Sequence, residues 1–185
     1  EYWTTLMALA KIGAIATPAT HMLMEKDLVY RMEKANVKMV VSVNEDELCE
    51  NIRKAMKKVP CVQYAACVGK REGFIDFTED VQKQSAELCV PYKAERRADD
   101  TLLVYFTSGT TGMPKMVALP ERYTLGHIVT AKYWLNCIDD GLHFTLAETG
   151  WAKASWGKLF GQWLCGSANF GYDFHDKFVP EDHLN

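Results

Sequence analysis

No apolar run in this sequence approaches the roughly 20 residues that a bilayer-spanning helix needs, so no membrane span is expected. Positive charge is not in excess either. Against 24 Asp and Glu stand 21 Lys and Arg, a formal net charge of −3, with no basic cluster. This removes the electrostatic case for nucleic acid or an anionic membrane as a partner. The nearest basic run, Arg96-Arg97, is offset by Glu95, Asp99 and Asp100 and reads as a solvated loop. Six cysteines (49, 61, 67, 89, 137 and 165) are widely and irregularly spaced, without the paired short spacing of a zinc site. They read as buried or free thiols of a reducing compartment, here the cytoplasm. The five histidines (21, 127, 143, 175 and 183) form no metal spacing, and His127 falls in a helical pattern where a packing role is expected. Repeats, low-complexity tracts and heptads are absent. So is an initiator Met: the sequence opens Glu1-Tyr2-Trp3 in what is already a helical pattern, which predicts a start inside a longer protein.

What is present is an ordinary globular composition, 48% hydrophobic and 24% charged over 185 residues, enough for one domain with a real core or part of a larger one. Helical and strand patterns alternate along it. Leu6, Leu9, Ala10 and Gly13 recur at helical spacing, and residues 14–17 read as a short strand stopped by Pro18. Leu28, Val29, Met32 and Ala35 make the next helical stripe, followed by a strand over 37–43. Asn44 is the expected N-cap of a helix whose first turn is acidic, whose last turn is basic, and whose buried face is Leu48, Ile52, Ala55, Met56 and Val59. A strand over 61–68, a charged turn at 69–73 and a helix over 77–88 capped by Thr78 follow. Residues 89–100 read as a linker. Beyond it come strands at 101–106 and 116–119, a helix carrying Leu125, Ile128, Val129 and Tyr133, and a strand at 143–147. Trp156, Leu159, Phe160, Trp163 and Leu164 then form one amphipathic helix before a strand at 167–173. The alternation predicts an α/β fold with largely parallel sheets flanked by helices, divided into a first part over 1–90 and a second over 101–185.

One stretch carries chemistry. Residues 101–106 make a buried strand, and Thr107-Ser108-Gly109-Thr110-Thr111-Gly112-Met113-Pro114-Lys115 follows it directly. Gly109 and Gly112 permit φ > 0 or close approach, so successive amides can converge on an anion. Thr107, Ser108, Thr110 and Thr111 add hydroxyl donors and Lys115 adds an ammonium. The ordinary P-loop is excluded: counted from Gly109, Pro114 stands where the second Gly belongs and Met116 where the magnesium hydroxyl belongs. A Ser/Thr/Gly turn without a ligand is the plain structural alternative.

From Thr107 to Lys115 the string resembles, at every position, the phosphate-binding signature of the adenylate-forming superfamily of acyl-CoA synthetases, aryl-CoA ligases, luciferases and peptide-synthetase adenylation domains. Tyr105-Phe106 before it and Met116 after it look most like the acetyl- and medium-chain acyl-CoA synthetases. Residues 9–18 resemble the helix-to-strand segment upstream of that loop. Thr149-Gly150-Trp151, with residues 156–166 behind it, is similar to the aspartate-threonine-glycine-tryptophan region downstream. The sequence departs from the pattern at Glu148, where the family has aspartate, and in the absence of a histidine shortly after Lys115.

The resemblance implies an N-terminal-domain fragment of a ligase that activates a carboxylic acid with ATP and Mg2+ as an acyl-adenylate, expels pyrophosphate, and passes the acyl group to coenzyme A. Thr107, Ser108, Gly109, Thr110, Thr111, Gly112 and Lys115 would hold the phosphates, while Gly150 and Trp151 would face the acyl group or pantetheine. For Trp151 burial at a strand-to-helix junction is the competing reading, and for Trp156 and Trp163 core packing is expected. The ribose aspartate, magnesium glutamate, hinge and adenylation lysine lie downstream in the family, so no catalytic or metal residue is assigned here and the chain alone is expected to be inactive. Its partners would include the missing downstream part of the same polypeptide. Two other readings stay open: an adenylation domain that loads a carrier protein, and a nucleotide-binding module without chemistry.

Overall fold

The computed structural model describes residues 1–87, 96–108 and 112–172. Helix α1 (Tyr2–Ile12) ends at Gly13, whose φ of 76° lets the amides of Gly13 and Ala14 turn back onto the carbonyls of Ala10 and Leu9. The strand expected at 14–17 is a single bridge, Ala16 to Leu103, because Pro18 offers no amide with which to extend the ladder. Helix α2 (Glu25–Lys34) buries Leu28 and Met32 and stops where Asn36 takes φ 50° and the Val37 amide bonds to the Met32 carbonyl.

Strand β1 (Met39–Ser42) leads to helix α3 (Asp46–Lys58), which buries Leu48, Cys49, Ile52 and Ala55. Asn44 is not its cap. Glu45 takes that position without a side-chain bond, while Asn44 donates to the Lys70 carbonyl at 3.3 Å and accepts from Arg71 Nε at 2.5 Å. Tying down the charged turn satisfies the Asn44 amide better than a helix end whose first turn already carries Asp46 and Glu47. Strands β2 (Tyr64–Cys67) and β3 (Ile75–Asp76) complete a parallel sheet of order β1-β2-β3. Helix α4 (Phe77–Gln82) is capped by Asp76, whose carboxylate accepts from the Glu79 amide at 3.0 Å, so Thr78 is not the cap. It ends well short of residue 88, since none of its residues is buried to hold further turns. Most of the expected linker, residues 88–95, lies outside the described residues.

Strands β4 (Thr101–Thr107) and β5 (Lys115–Pro120) form an antiparallel hairpin, and helix α5 (Arg122–Tyr133) follows. Strand β6 (Leu142–His143) pairs in parallel with β7 (Ala168–Asn169), and between them lie helices α6 (Ala152–Lys158) and α7 (Phe160–Leu164). The one amphipathic helix expected over 156–164 is therefore two. Leu159, at φ −130° and ψ −81°, breaks it, which sends Leu159 and Phe160 into the core and leaves Trp163 45% exposed rather than packed. On α5 the apolar stripe points outward, with Val129 61% and Tyr133 75% exposed, and Ala131 is the buried residue.

The fold is α/β as expected, its parallel pairings interrupted by the β4-β5 hairpin. Two apolar clusters support it. Leu28, Met32, Leu48, Ile52, Ala55 and Val59 seal the first sheet under α2 and α3. Leu6, Ala16, Leu102, Leu103, Tyr105, Leu159 and Phe160 gather α1, β4 and the α6–α7 break around the hairpin. Full burial of side chains such as Leu103 and Leu159 stabilises by about 1.5–3 kcal/mol each, so the hairpin stands on a rigid base.

Candidate functional site

The two ends of the connection between β4 and β5 are held by what surrounds them. Leu102 to Tyr105 are buried, and β4 bonds on both sides, to β5 and to Ala16 through the Ala16 amide to the Leu102 carbonyl (3.0 Å) and the Val104 amide to the Ala16 carbonyl (2.8 Å). Within the hairpin Phe106 stands opposite Met116 and Thr107 opposite Lys115. Burial stops abruptly there: Thr107, Ser108, Gly112 and Lys115 are exposed. Gly112 takes φ 91°, with no atom within 4 Å of where a Cβ would stand. Lys115 makes no ion pair or hydrogen bond among the described residues. Gly109, Thr110 and Thr111, on which the expected amide nest depends, lie outside those residues.

Bracing contacts come from three residues to which the sequence reading gave no such role. The Tyr30 hydroxyl donates to the Pro114 carbonyl at 2.9 Å and its ring meets Phe106 edge-on with centroids 6.0 Å apart. Arg31 lies over the same ring, 5.1 Å from its centroid. Arg96, expected in a solvated loop, instead donates to the Ala10 carbonyl (2.9 Å) and the Thr101 carbonyl (3.3 Å) and pairs with Glu121 at 2.5 Å. It clamps the base of the hairpin to α1, because the Ala10 and Thr101 carbonyls and the partly buried Glu121 carboxylate converge there. No local pattern announces any of the three.

The second region is joined to the first through the core. Tyr105 Oη and Ser155 Oγ make a short buried hydrogen bond, linking β4 to α6, and the Tyr2 hydroxyl is buried beside them without a partner of normal geometry. Burial pushes both tyrosine hydroxyls above their ordinary range, so they stay protonated. Just before α6, the Gly150 amide donates to Glu148 Oε1 (3.0 Å) and the Trp151 amide to the Glu148 carbonyl (3.1 Å). The longer carboxylate thus closes a turn instead of capping the helix; Trp151 holds the N-cap position of α6 without a side-chain bond. A Cβ on Gly150 would stand 2.1 Å from the Thr20 amide nitrogen, so the position accepts only glycine. Trp151 is 67% exposed, which overturns burial at the junction. Lys158, half-buried nearby, has its pKa lowered by burial, with Glu148 opposing.

His127 packs, as expected: edge-on to Tyr123 at 4.3 Å and stacked on Trp156 at 6.0 Å. Cys49, Cys61, Cys67, Cys137 and Cys165 are free thiols. Among the described residues no three His, Cys, Asp or Glu side chains gather closely enough to hold a metal, and no helix is long and apolar enough to cross a membrane.

The surroundings of Lys115 suit a polyanion: exposed hydroxyls, an uncommitted ammonium and an open backbone. A family description, AMP-binding enzyme, matches residues 1–169. The chain belongs to the AMP-binding enzyme family. This AMP-binding chain is 32% identical over 177 residues to the human protein named acyl-coenzyme A synthetase ACSM5, mitochondrial, and 29% identical over 176 residues to the mouse protein named acyl-coenzyme A synthetase ACSM3, mitochondrial; 94% and 93% of the chain are covered. Each match takes in 29% of the relative's length, so the chain spans about a third of such proteins. Among solved structures it is similar to a Brucella canis acyl-CoA synthetase, with TM-score 0.76 and 25% identity over 97% of this chain and 32% of the other. The anthranilate CoA ligase AuaEII, solved with anthranoyl-AMP, shares the fold, with TM-score 0.74 and 22% identity over 89% of this chain and 32% of that one. The expectation of a cytoplasmic location does not stand, because the curated relatives are mitochondrial by name.

Proposed function

We propose that this AMP-binding chain is the part of an ATP-dependent acyl-CoA synthetase that holds the nucleotide's phosphates and shapes the acyl side of the site, in a mitochondrial enzyme of fatty acid metabolism. The observation that carries the reading is the hairpin: the buried, doubly bonded β4 ends at the exposed Thr107 and Ser108, and β5 sets Lys115 opposite Thr107. Activation requires a carboxylate oxygen to displace pyrophosphate at the α-phosphorus, after which a coenzyme A thiol displaces AMP from the acyl carbon. Catalysis of such transfers rests on positioning and charge neutralisation. Lys115 and the Thr107 and Ser108 hydroxyls stabilise negative charge on the departing phosphates, and Gly109 to Gly112 supply amides to the same oxygens. Tyr30 braces the hairpin at Pro114, and Arg96 fixes its base. Gly150 seats the Glu148 turn against Thr20, and the exposed Trp151 indole offers an apolar wall to an acetyl- to medium-length acyl group or to pantetheine. When bound, magnesium would neutralise part of the phosphate charge, and none of the residues described is assigned to hold it.

The test is made on the full-length enzyme. ATP–pyrophosphate exchange that depends on a short or medium carboxylate, followed by thioester formation with coenzyme A, is expected. Exchange without thioester, with transfer to a carrier protein, would redirect the reading, and nucleotide binding without exchange would end it.

A further inference from the structure

We propose that Arg31 is a second polyphosphate-binding cation, approaching the phosphate loop from the face of the hairpin opposite Lys115; this rests on the loop reading above. Successive residues of a strand point to opposite faces. Thr107 pairs with Lys115 on one face, and Phe106 pairs with Met116 on the other. The Arg31 guanidinium lies 5.1 Å over the Phe106 ring, hence on the second face, one residue before the loop begins. Its neighbour Tyr30 bonds to Pro114, one residue before the loop ends, so α2 reaches both legs of the hairpin.

The guanidinium is held there at a cost. Arg31 is half-buried, burial lowers its pKa with Asp27 opposing, its Nε is shut off from water without a hydrogen-bond partner, and it forms no ion pair among the described residues. Asp27 offsets that desolvation only in part, and an incoming anion relieves the rest. The ring contact does not use up the in-plane N–H donors, whose fork matches two phosphate oxygens. A cation on each face of the hairpin would grip the β- and γ-phosphates, and pyrophosphate after cleavage. AMP, which lacks those groups, would not feel Arg31.

The experiment is calorimetric titration of the full-length enzyme with ATP, pyrophosphate and AMP. Arg31→Met, which keeps the apolar stem on the ring, is expected to weaken ATP and pyrophosphate binding roughly ten- to a hundredfold and to leave AMP within about twofold of wild type. Arg31→Lys should recover part of the loss, because it restores the charge without the fork. A parallel fall in ATP and AMP affinity would make Arg31 a packing residue and overturn the proposal, as would unchanged ATP affinity. Wild-type enzyme that binds none of the three would fail the phosphate-loop reading itself, and the inference with it.

Discussion

Tyr30 and Pro114 stand 84 residues apart in sequence and 2.9 Å apart in space, the hydroxyl of one donating to the carbonyl of the other. Through that bond the residue that leads into β5 is referenced to a helix from the opposite half of the chain. Tyr30→Phe keeps the ring against Phe106 and removes only the donor. In the full-length enzyme it is expected to cost about 0.5–1.5 kcal/mol, read from denaturant unfolding. A loss several times larger would mean that ring packing, and not the hydrogen bond, holds the loop.

Lys115 contributes nothing visible to the fold: it is exposed and unbonded among the described residues. Lys115→Ala should leave the thermal midpoint of the full-length enzyme in place and weaken ATP binding roughly ten- to a hundredfold. Equal loss of stability and affinity would identify a structural lysine.

Two glycines should respond differently to the same methyl group. At Gly112, with φ 91° and open space around it, alanine meets only the left-handed backbone penalty of about 1–2 kcal/mol. At Gly150 the methyl would stand 2.1 Å from the Thr20 nitrogen and 2.4 Å from the Ala19 carbonyl carbon, so the backbone must move. Gly150→Ala is expected to lower the unfolding midpoint well below that of Gly112→Ala; equal midpoints would show that the close approach is absent in solution.

His127 should make stability depend on pH. Thr130 Oγ1 donates to the His127 carbonyl and so accepts from Nδ1 at 3.1 Å, leaving Nε2 buried without a partner. Burial lowers the imidazole pKa below its unfolded value, and the adjacent Tyr123, itself pushed up to about 12 by burial, stays neutral. The unfolded chain therefore takes the proton first. The histidine's contribution is complete above its unfolded pKa of about 6.5 and is lost as pH falls through the lower folded value. Unfolding of wild type and His127→Gln at pH 7.5 and 5.5 measures this: the variant should lose less on acidification, and identical losses would refute it.

Much of this was legible locally. The α3 helix is written in the spacing of Leu48, Ile52 and Ala55 and in its charged ends, and the hairpin tip in the run of hydroxyls and glycines after β4. Other elements were misread where tertiary contact outweighed pattern. Asn44 has the chemistry of a cap, but Arg71 is the better partner. The period through Trp156, Leu159 and Trp163 is helical, yet Leu159 breaks it so that two adjacent side chains enter the same core.

The sequence by itself determined which residues could meet a polyanion, because hydroxyls, an ammonium and glycine's freedom at φ > 0 are properties of single residues and their immediate neighbours. Only the tertiary structure decided what those residues rest on and what faces them. Tyr30, Arg31 and Arg96 reach the hairpin across long sequence separations, and contacts of that kind are set by the packing of whole helices and leave no periodicity in the chain to read.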